Sequence, residues 1–219
     1  MNDGPDGPRE MQVKLDAPLR HLARSACVAL LAVQVAGAWA WDEAIDGDLS
    51  NSGLAPTSLV FANGANFVAG TIGRPMTGAE VDRDYFTFTV PVGSLFTAIN
   101  VLAPTAALGG GSFIALQSGP QVTVPFDTPS AAGLLGWTLY SADDIGGNLL
   151  PLMAVASFGS SGFEVPLGAG SYAVWIQETA TGTASYNFDF TLTAVPEPAT
   201  ALLWAGGLLA LAALRRRSA

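Results

Sequence analysis

The central part of this chain lacks the side chains that most enzyme chemistry needs. The single cysteine, Cys27, the single histidine, His21, and the only lysine, Lys14, all fall before residue 30 of 219. Residues 41–194 therefore hold no Cys, His or Lys. Ser-His-Asp and Cys-His nucleophiles, Schiff-base chemistry and zinc sites of the usual donor set are excluded there. No disulfide framework is possible with one thiol. Positive charge is equally scarce. The same stretch has 13 acidic residues against only Arg74 and Arg83, a net charge of −11. Such a body repels a phosphate backbone, so nucleic acid is not an expected partner.

What the chain does have is apolar residues at 50%, only 12% charged residues, 25 glycines and 14 prolines. This composition fits one folded domain of many short strands and tight turns, not a disordered chain. The basic residues gather at the two ends. Arg9, Lys14, Arg20 and Arg24 precede residue 25, and Arg215, Arg216 and Arg217 lie near the C-terminus.

The N-terminal end reads as an export signal over residues 1–40. Arg20 and Arg24 form a basic region, residues 26–36 an apolar one, and Ala38-Trp39-Ala40 a small-x-small cleavage site. Signal peptidase is expected to cut after Ala40, so that the exported chain begins at Trp41. The acidic, proline-bearing stretch before Met11 suits a signal poorly, and translation is expected to start at Met11. Cys27 precedes most of the apolar region and leaves with the signal.

The C-terminal end, residues 195–219, has three parts in order: Pro196-Glu197-Pro198, an apolar run over 199–214, and Arg215-Arg216-Arg217. As a helix, the run covers about 24 Å at 1.5 Å per residue, short of a hydrocarbon core about 30 Å thick. It can span with local thinning or snorkelling, its arginines held in the cytoplasm and the body outside. The two prolines lack amide hydrogens and hold extended backbone, so the triplet joins neither the helix nor a strand. An unpaired strip of this kind is what a processing enzyme can grip.

This tail resembles the PEP-CTERM sorting signal of Gram-negative bacteria. The resemblance implies an exosortase that recognises Pro196, Glu197 and Pro198, with Arg215–Arg217 as the membrane stop. It also implies a precursor held for a time in the inner membrane and then delivered to the envelope or outside, often alongside exopolysaccharide or biofilm matrix.

Between the two ends the pattern has period two. Phe86, Phe88 and Val90 fall on one face, and Tyr85, Thr87 and Thr89 on the other. In 186–192, Asn187, Asp189 and Thr191 face outward. These are half-buried strands. Further strands are expected over 66–72, 95–102, 112–117, 134–140, 149–156 and 171–178, and no helix between 41 and 194. Two stretches, Val90-Pro91-Val92-Gly93 and Val165-Pro166-Leu167-Gly168, read as similar turns between antiparallel strands. The expected fold over 41–194 is all-β, an antiparallel sandwich of jelly-roll type. The order GTIG, DRDYFTFTVPVG, LGAGSYAVWIQE, ASYNFDFTL is similar to the bacterial pre-peptidase C-terminal domain, which implies a jelly-roll-like accessory module and, near its acidic segments, calcium.

Three chemistries remain. Hard cations take several oxygens. Asp42, Glu43, Asp46 and Asp48 lie within seven residues, and Asp82 and Asp84 precede a strand, so all six are candidate calcium ligands; no EF-hand spacing is present. Alternation places Trp175 outward, where its indole could stack on a sugar; a carbohydrate-binding module is thus the alternative function. A carboxylate pair for glycoside hydrolysis, with Glu164 and Glu178 as candidates, is the third. The expectation is an exported, non-catalytic envelope or matrix protein with no cofactor beyond calcium.

Overall fold

The structure, a computed structural model, describes residues 38–78, 80–195 and 206. The chain forms two sheets packed face to face. The first sheet has four strands in the order β1 (Ala38–Asp42), β3 (Asn66–Arg74), β9 (Gly182–Ala194) and β5 (Ser94–Val101). The second has five, β2 (Thr57–Ser58), β4 (Arg83–Val90), β8 (Gly170–Gln177), β6 (Ser112–Ser118) and β7 (Gly136–Tyr140).

The period-two strands behave as their pattern requires. Phe86, Phe88 and Val90 of β4 and Val174 and Ile176 of β8 point inward from one sheet. Tyr186, Phe188, Phe190 and Leu192 of β9 meet them from the other. The rings interlock edge to face: Phe86 and Phe190 lie 5.3 Å apart at 86°, and Phe88 and Phe96 lie 5.2 Å apart at 81°. That geometry places ring edges against the electron-rich ring faces.

Four features depart from the sequence expectation. The sheets are mixed rather than antiparallel, because β1 pairs parallel with β3 and β2 parallel with β4. Both added strands are short and lie at sheet edges; β1 overlaps the expected cleavage site, and β2 spans two residues, too few to show alternation. Second, residues 149–156 form no strand. Leu150–Met153 is a single helical turn (α2) with Pro151 in its first turn, a position where the missing amide hydrogen costs nothing. Leu149, Leu150 and Met153 seal the main core. Third, a second short helix, α1 (Glu43–Asp46), follows β1 directly. Fourth, neither Val-Pro turn is a hairpin. The turn at Pro91, closed by the Ser94 amide donating to the Pro91 carbonyl at 3.1 Å, carries the chain from one sheet to the other. Val165-Pro166 ends no strand, and Leu167 instead bridges to Phe96 of β5.

The five-stranded sheet is buried on both faces. Its outer face carries a second apolar cluster in which Tyr85, Ala115, Ala173 and Trp175 are covered by Val122, Val124, Ala131 and Leu134 of the segment 119–135. No helix among the described residues is long and apolar enough to cross a membrane. The apolar run 199–214, apart from Gly206, lies outside the described residues, as do Pro196, Glu197, Pro198 and Arg215–Arg217. Most of the expected export signal, residues 1–37, lies outside them too. The expected cut after Ala40 falls within β1, whose Trp41 and Asp42 pair with Val68 and Ala69.

Candidate metal centre

The six acidic residues singled out in the sequence divide into two groups. Asp42 and Asp46 hold the local turn. Asp42 caps α1, its Oδ1 accepting from the Ala44 amide at 3.0 Å, and Asp46 Oδ2 accepts from the Asp42 amide at 2.9 Å. The Trp41 indole N–H donates to the Gly47 carbonyl at 2.9 Å and closes the loop from the other side. This turn aims Glu43 and Asp48 at the end of the sandwich.

There they meet Asp84. One carboxylate oxygen from each of Glu43, Asp48 and Asp84 lies within 4.8 Å of the others. Each comes from a different place: the first residue of α1, the loop after it, and the second residue of β4. Alternation explains Asp84, which shares the inward parity of Phe86 and Phe88 and so points between the sheets. Asp82 has the same parity; it lies close enough to feel the Asp48 charge, and Asp84 feels that of Asp82.

The opposite sheet supplies the cradle. Glu43 Oε2 accepts from the Thr71 amide at 2.7 Å, and Oε1 from the Leu49 amide at 3.2 Å. Gly70 makes room for it, since a β-carbon at that position would come 2.5 Å from both Glu43 Cδ and the Tyr186 hydroxyl. The chain needs glycine here for close approach, not for an unusual backbone angle.

Asp84 is fully buried, and neither of its carboxyl oxygens has a hydrogen-bond partner. Asp82 Oδ1 and the Tyr186 hydroxyl are also buried without partners. A buried carboxylate without compensation is costly, and in water-free surroundings it takes up a proton instead. Burial raises the Asp84 pKa from 3.8 to about 9, with the Glu43 charge adding to the rise. The Tyr186 hydroxyl is near enough to offset this slightly, though it forms no hydrogen bond of acceptable geometry. Burial, then the Asp48 charge, raises Asp82 to about 6, and burial also raises Glu43. Three acids that resist ionising together, around oxygens with free lone pairs, form a site that a cation would satisfy. The donors are all oxygen, which suits calcium or magnesium and not zinc or copper.

The other candidates fare differently. Glu178 is buried, but its oxygens accept from the Ser112 hydroxyl at 2.7 Å and from the amides of Leu108, Thr179 and Ala180. It ties the ends of the central strands β8 and β6 to the loop at Leu108 rather than sitting solvated at a strand end. Glu164 is exposed. Trp175 does point away from the main core, as alternation requires, but it is only 4% exposed. Tyr85 stacks against it at 5.7 Å and Phe113 meets it edge to face at 4.8 Å. Its ring faces are not open to a sugar. Sequence reasoning missed Gly70 and Tyr186, because one is silent in any pattern and the other reads simply as a core aromatic.

The fold and site thus define an all-β, two-sheet protein with an acidic cluster between its sheets. Set against known proteins, the chain matches no family model, no curated protein and no solved structure.

Proposed function

We propose that this is an exported, non-catalytic β-sandwich of jelly-roll type, held together by calcium and delivered to the cell envelope or matrix by its C-terminal sorting tail. The observation that carries the reading is Asp84: fully buried, without a hydrogen-bond partner, and facing Glu43 and Asp48. Calcium would join α1 and its loop to both sheets, since Glu43 already binds the Thr71 amide of β3 and Asp84 belongs to β4. Few ligands and one exposed carboxylate, Asp48, fit the weak affinities of extracellular calcium modules, about 10⁻⁴–10⁻³ M. That agrees with a chain whose ends read as an export signal and a PEP-CTERM tail. In this reading signal peptidase and an exosortase are the processing partners, the inner membrane is a temporary anchor, and exopolysaccharide is the surrounding material.

The carboxylate-hydrolase alternative is weaker. Asp84, the acid with the most displaced pKa, is closed off from any substrate, and Glu178 is fully engaged with its four donors. The test is thermal melting in calcium and in chelator at fixed ionic strength. Ligand-linked stability predicts a higher melting temperature in calcium, rising further with its concentration. Superimposable melts would remove calcium from the reading.

A further inference from the structure

The outer face of the five-stranded sheet carries a row of aromatic rings that neither the acidic cluster nor the sorting tail accounts for. Across β4, β8, β6 and β7 the rings of Tyr85, Trp175, Phe113 and Trp137 touch in succession. Tyr85 and Trp175 stack at 5.7 Å, Trp175 and Phe113 meet at 4.8 Å, and Phe113 and Trp137 stack at 5.7 Å. Phe158 extends the row from the far side, 5.5 Å from Trp137. Where the covering segment 119–135 stops short of this row, a cavity of about 220 Å³ remains open. Phe126 stands on the covering side of that cavity, its ring under the Arg83 guanidinium at 3.8 Å.

Three features separate this cavity from a packing gap. Phe126 and Phe158 are 54% and 73% exposed, large rings left in water beside an opening. Phe158 is held at a φ of +50°, in the left-handed region that aromatic residues rarely enter, while its carbonyl accepts from the Ala131 amide at 2.8 Å. Strain of this kind is concentrated at ligand sites. Trp175 lines the cavity, is 4% exposed, and its indole N–H has no hydrogen-bond partner. A buried donor left unpaired is unfavourable, so the packing along this side of the row is incomplete.

We infer that this cavity binds a neutral sugar residue, stacked on Phe126, Phe158 and Trp137 and hydrogen-bonded by the Thr128 and Ser130 hydroxyls at its wall. The lining sets the ligand class. No charged side chain lines the cavity, and the nearby Arg83 guanidinium is buried against Phe126 and already donates to Gln177 and the Val81 carbonyl, so an acidic sugar gains no counter-ion inside the cavity and meets a body of net negative charge. A purely aliphatic ligand would cover the Thr128 and Ser130 hydroxyls at the wall without offering them a partner. A pyranose has both an apolar C–H face for the rings and hydroxyl groups for the Gln177, Thr128 and Ser130 side chains at the wall. The cavity holds a single ring, so recognition is of one unit within a chain. The role differs from the open stacking platform that the sequence suggested for Trp175, whose faces are covered. The inference stands apart from the calcium and sorting reading.

The experiment is calorimetric titration of the full chain in detergent with cellohexaose, maltohexaose and hexagalacturonate, with tryptophan fluorescence read in parallel. A neutral oligosaccharide should bind and change the emission, and hexagalacturonate should not. Phe158→Ala and Phe126→Ala remove exposed rings, and each should weaken binding tenfold or more while leaving the calcium-dependent rise in melting temperature intact. That second readout separates failure here from failure of the calcium reading. Silence from both neutral probes, equal binding of the acidic one, or unchanged affinity in both variants would overturn the inference.

Discussion

The Glu43 carboxylate occupies the space that a side chain on Gly70 would need. A β-carbon at position 70 would lie 2.5 Å from Glu43 Cδ and 2.6 Å from Oε2, closer than real β-carbons approach any atom. Gly70→Ala should therefore push Glu43 off the Thr71 amide and away from Asp48 and Asp84. Calcium affinity should fall at least about tenfold, about 1.4 kcal/mol, and overpacking against Tyr186 should lower stability by about 1–3 kcal/mol. Calorimetric calcium titration and denaturant melts of the variant check both. Unchanged calcium binding would mean that Glu43 is not a ligand.

The chelated protein should lose stability as pH rises. Asp84 titrates at 3.8 in its ordinary state and at about 9 in the fold. Between those values the unfolded chain has released a proton that the folded chain keeps, so the unfolded state binds fewer protons and stability falls with rising pH. Asp82, raised to about 6, adds to the slope at its acidic end. The melting temperature in chelator should be higher at pH 5 than at pH 8, and calcium, which needs the carboxylates ionised, should help most at pH 8. Asp84→Asn should flatten the chelated profile, abolish the calcium response and gain about 1 kcal/mol at pH 8, about 2–4 °C for a domain of this size. A chelated profile that rises toward pH 8 contradicts the assignment.

Trp175 should behave as a core residue. Its faces lie against Tyr85 and Phe113, and Val124 and Leu134 close over the cluster. Trp175→Ala should cost about 3–5 kcal/mol in denaturant unfolding, the usual range for a large buried aromatic. A cost under about 1 kcal/mol would place Trp175 on an open surface.

The legible part of this fold is the part governed by alternation. Phe86, Phe88 and Val90, and Tyr186, Phe188, Phe190 and Leu192, face inward because a strand has period two and one of its faces is buried. Strand β7 lies wholly within the expected run 134–140, although its burial does not alternate cleanly. The run at 149–156 carries no alternation, and an apolar stretch of that length suits a strand or a buried helical turn equally; Pro151 favours the latter. Alternation also gave the direction of Trp175 correctly but not its cover, since 119–135 has no repeating pattern and its apolar residues reveal their partners only in three dimensions. In the acidic cluster the carboxylates themselves were legible, while their division was not. Asp42 and Asp46 are consumed by hydrogen bonds within one turn, whereas Asp84 lies about forty residues from Glu43 and joins it only because β3 and β4 fall in opposing sheets. The parallel pairing of β1 with β3 left no local mark.

The proposed sorting tail makes its own prediction. A plain anchor needs an apolar helix and Arg215–Arg217 but not two prolines and a glutamate. Glu197→Ala should leave membrane insertion intact, because insertion depends on apolar length and flanking charge, and should block trimming in a host that carries an exosortase. Neutral replacements of Arg215–Arg217 should weaken retention instead. Fractionation and size comparison of the three forms distinguishes these outcomes. A Glu197→Ala protein trimmed and released like the wild type contradicts the sorting reading.

The most direct measurement is a crystal structure of the protein grown in calcium, with anomalous scattering used to locate the ion. The account predicts one strong peak between the sheets, with carboxylate oxygens of Glu43, Asp48 and Asp84 at about 2.3–2.6 Å and water completing the shell. An ion held by Asp42 and Asp46 alone, or an Asp84 carboxyl that stays buried and unliganded in saturating calcium, would contradict it.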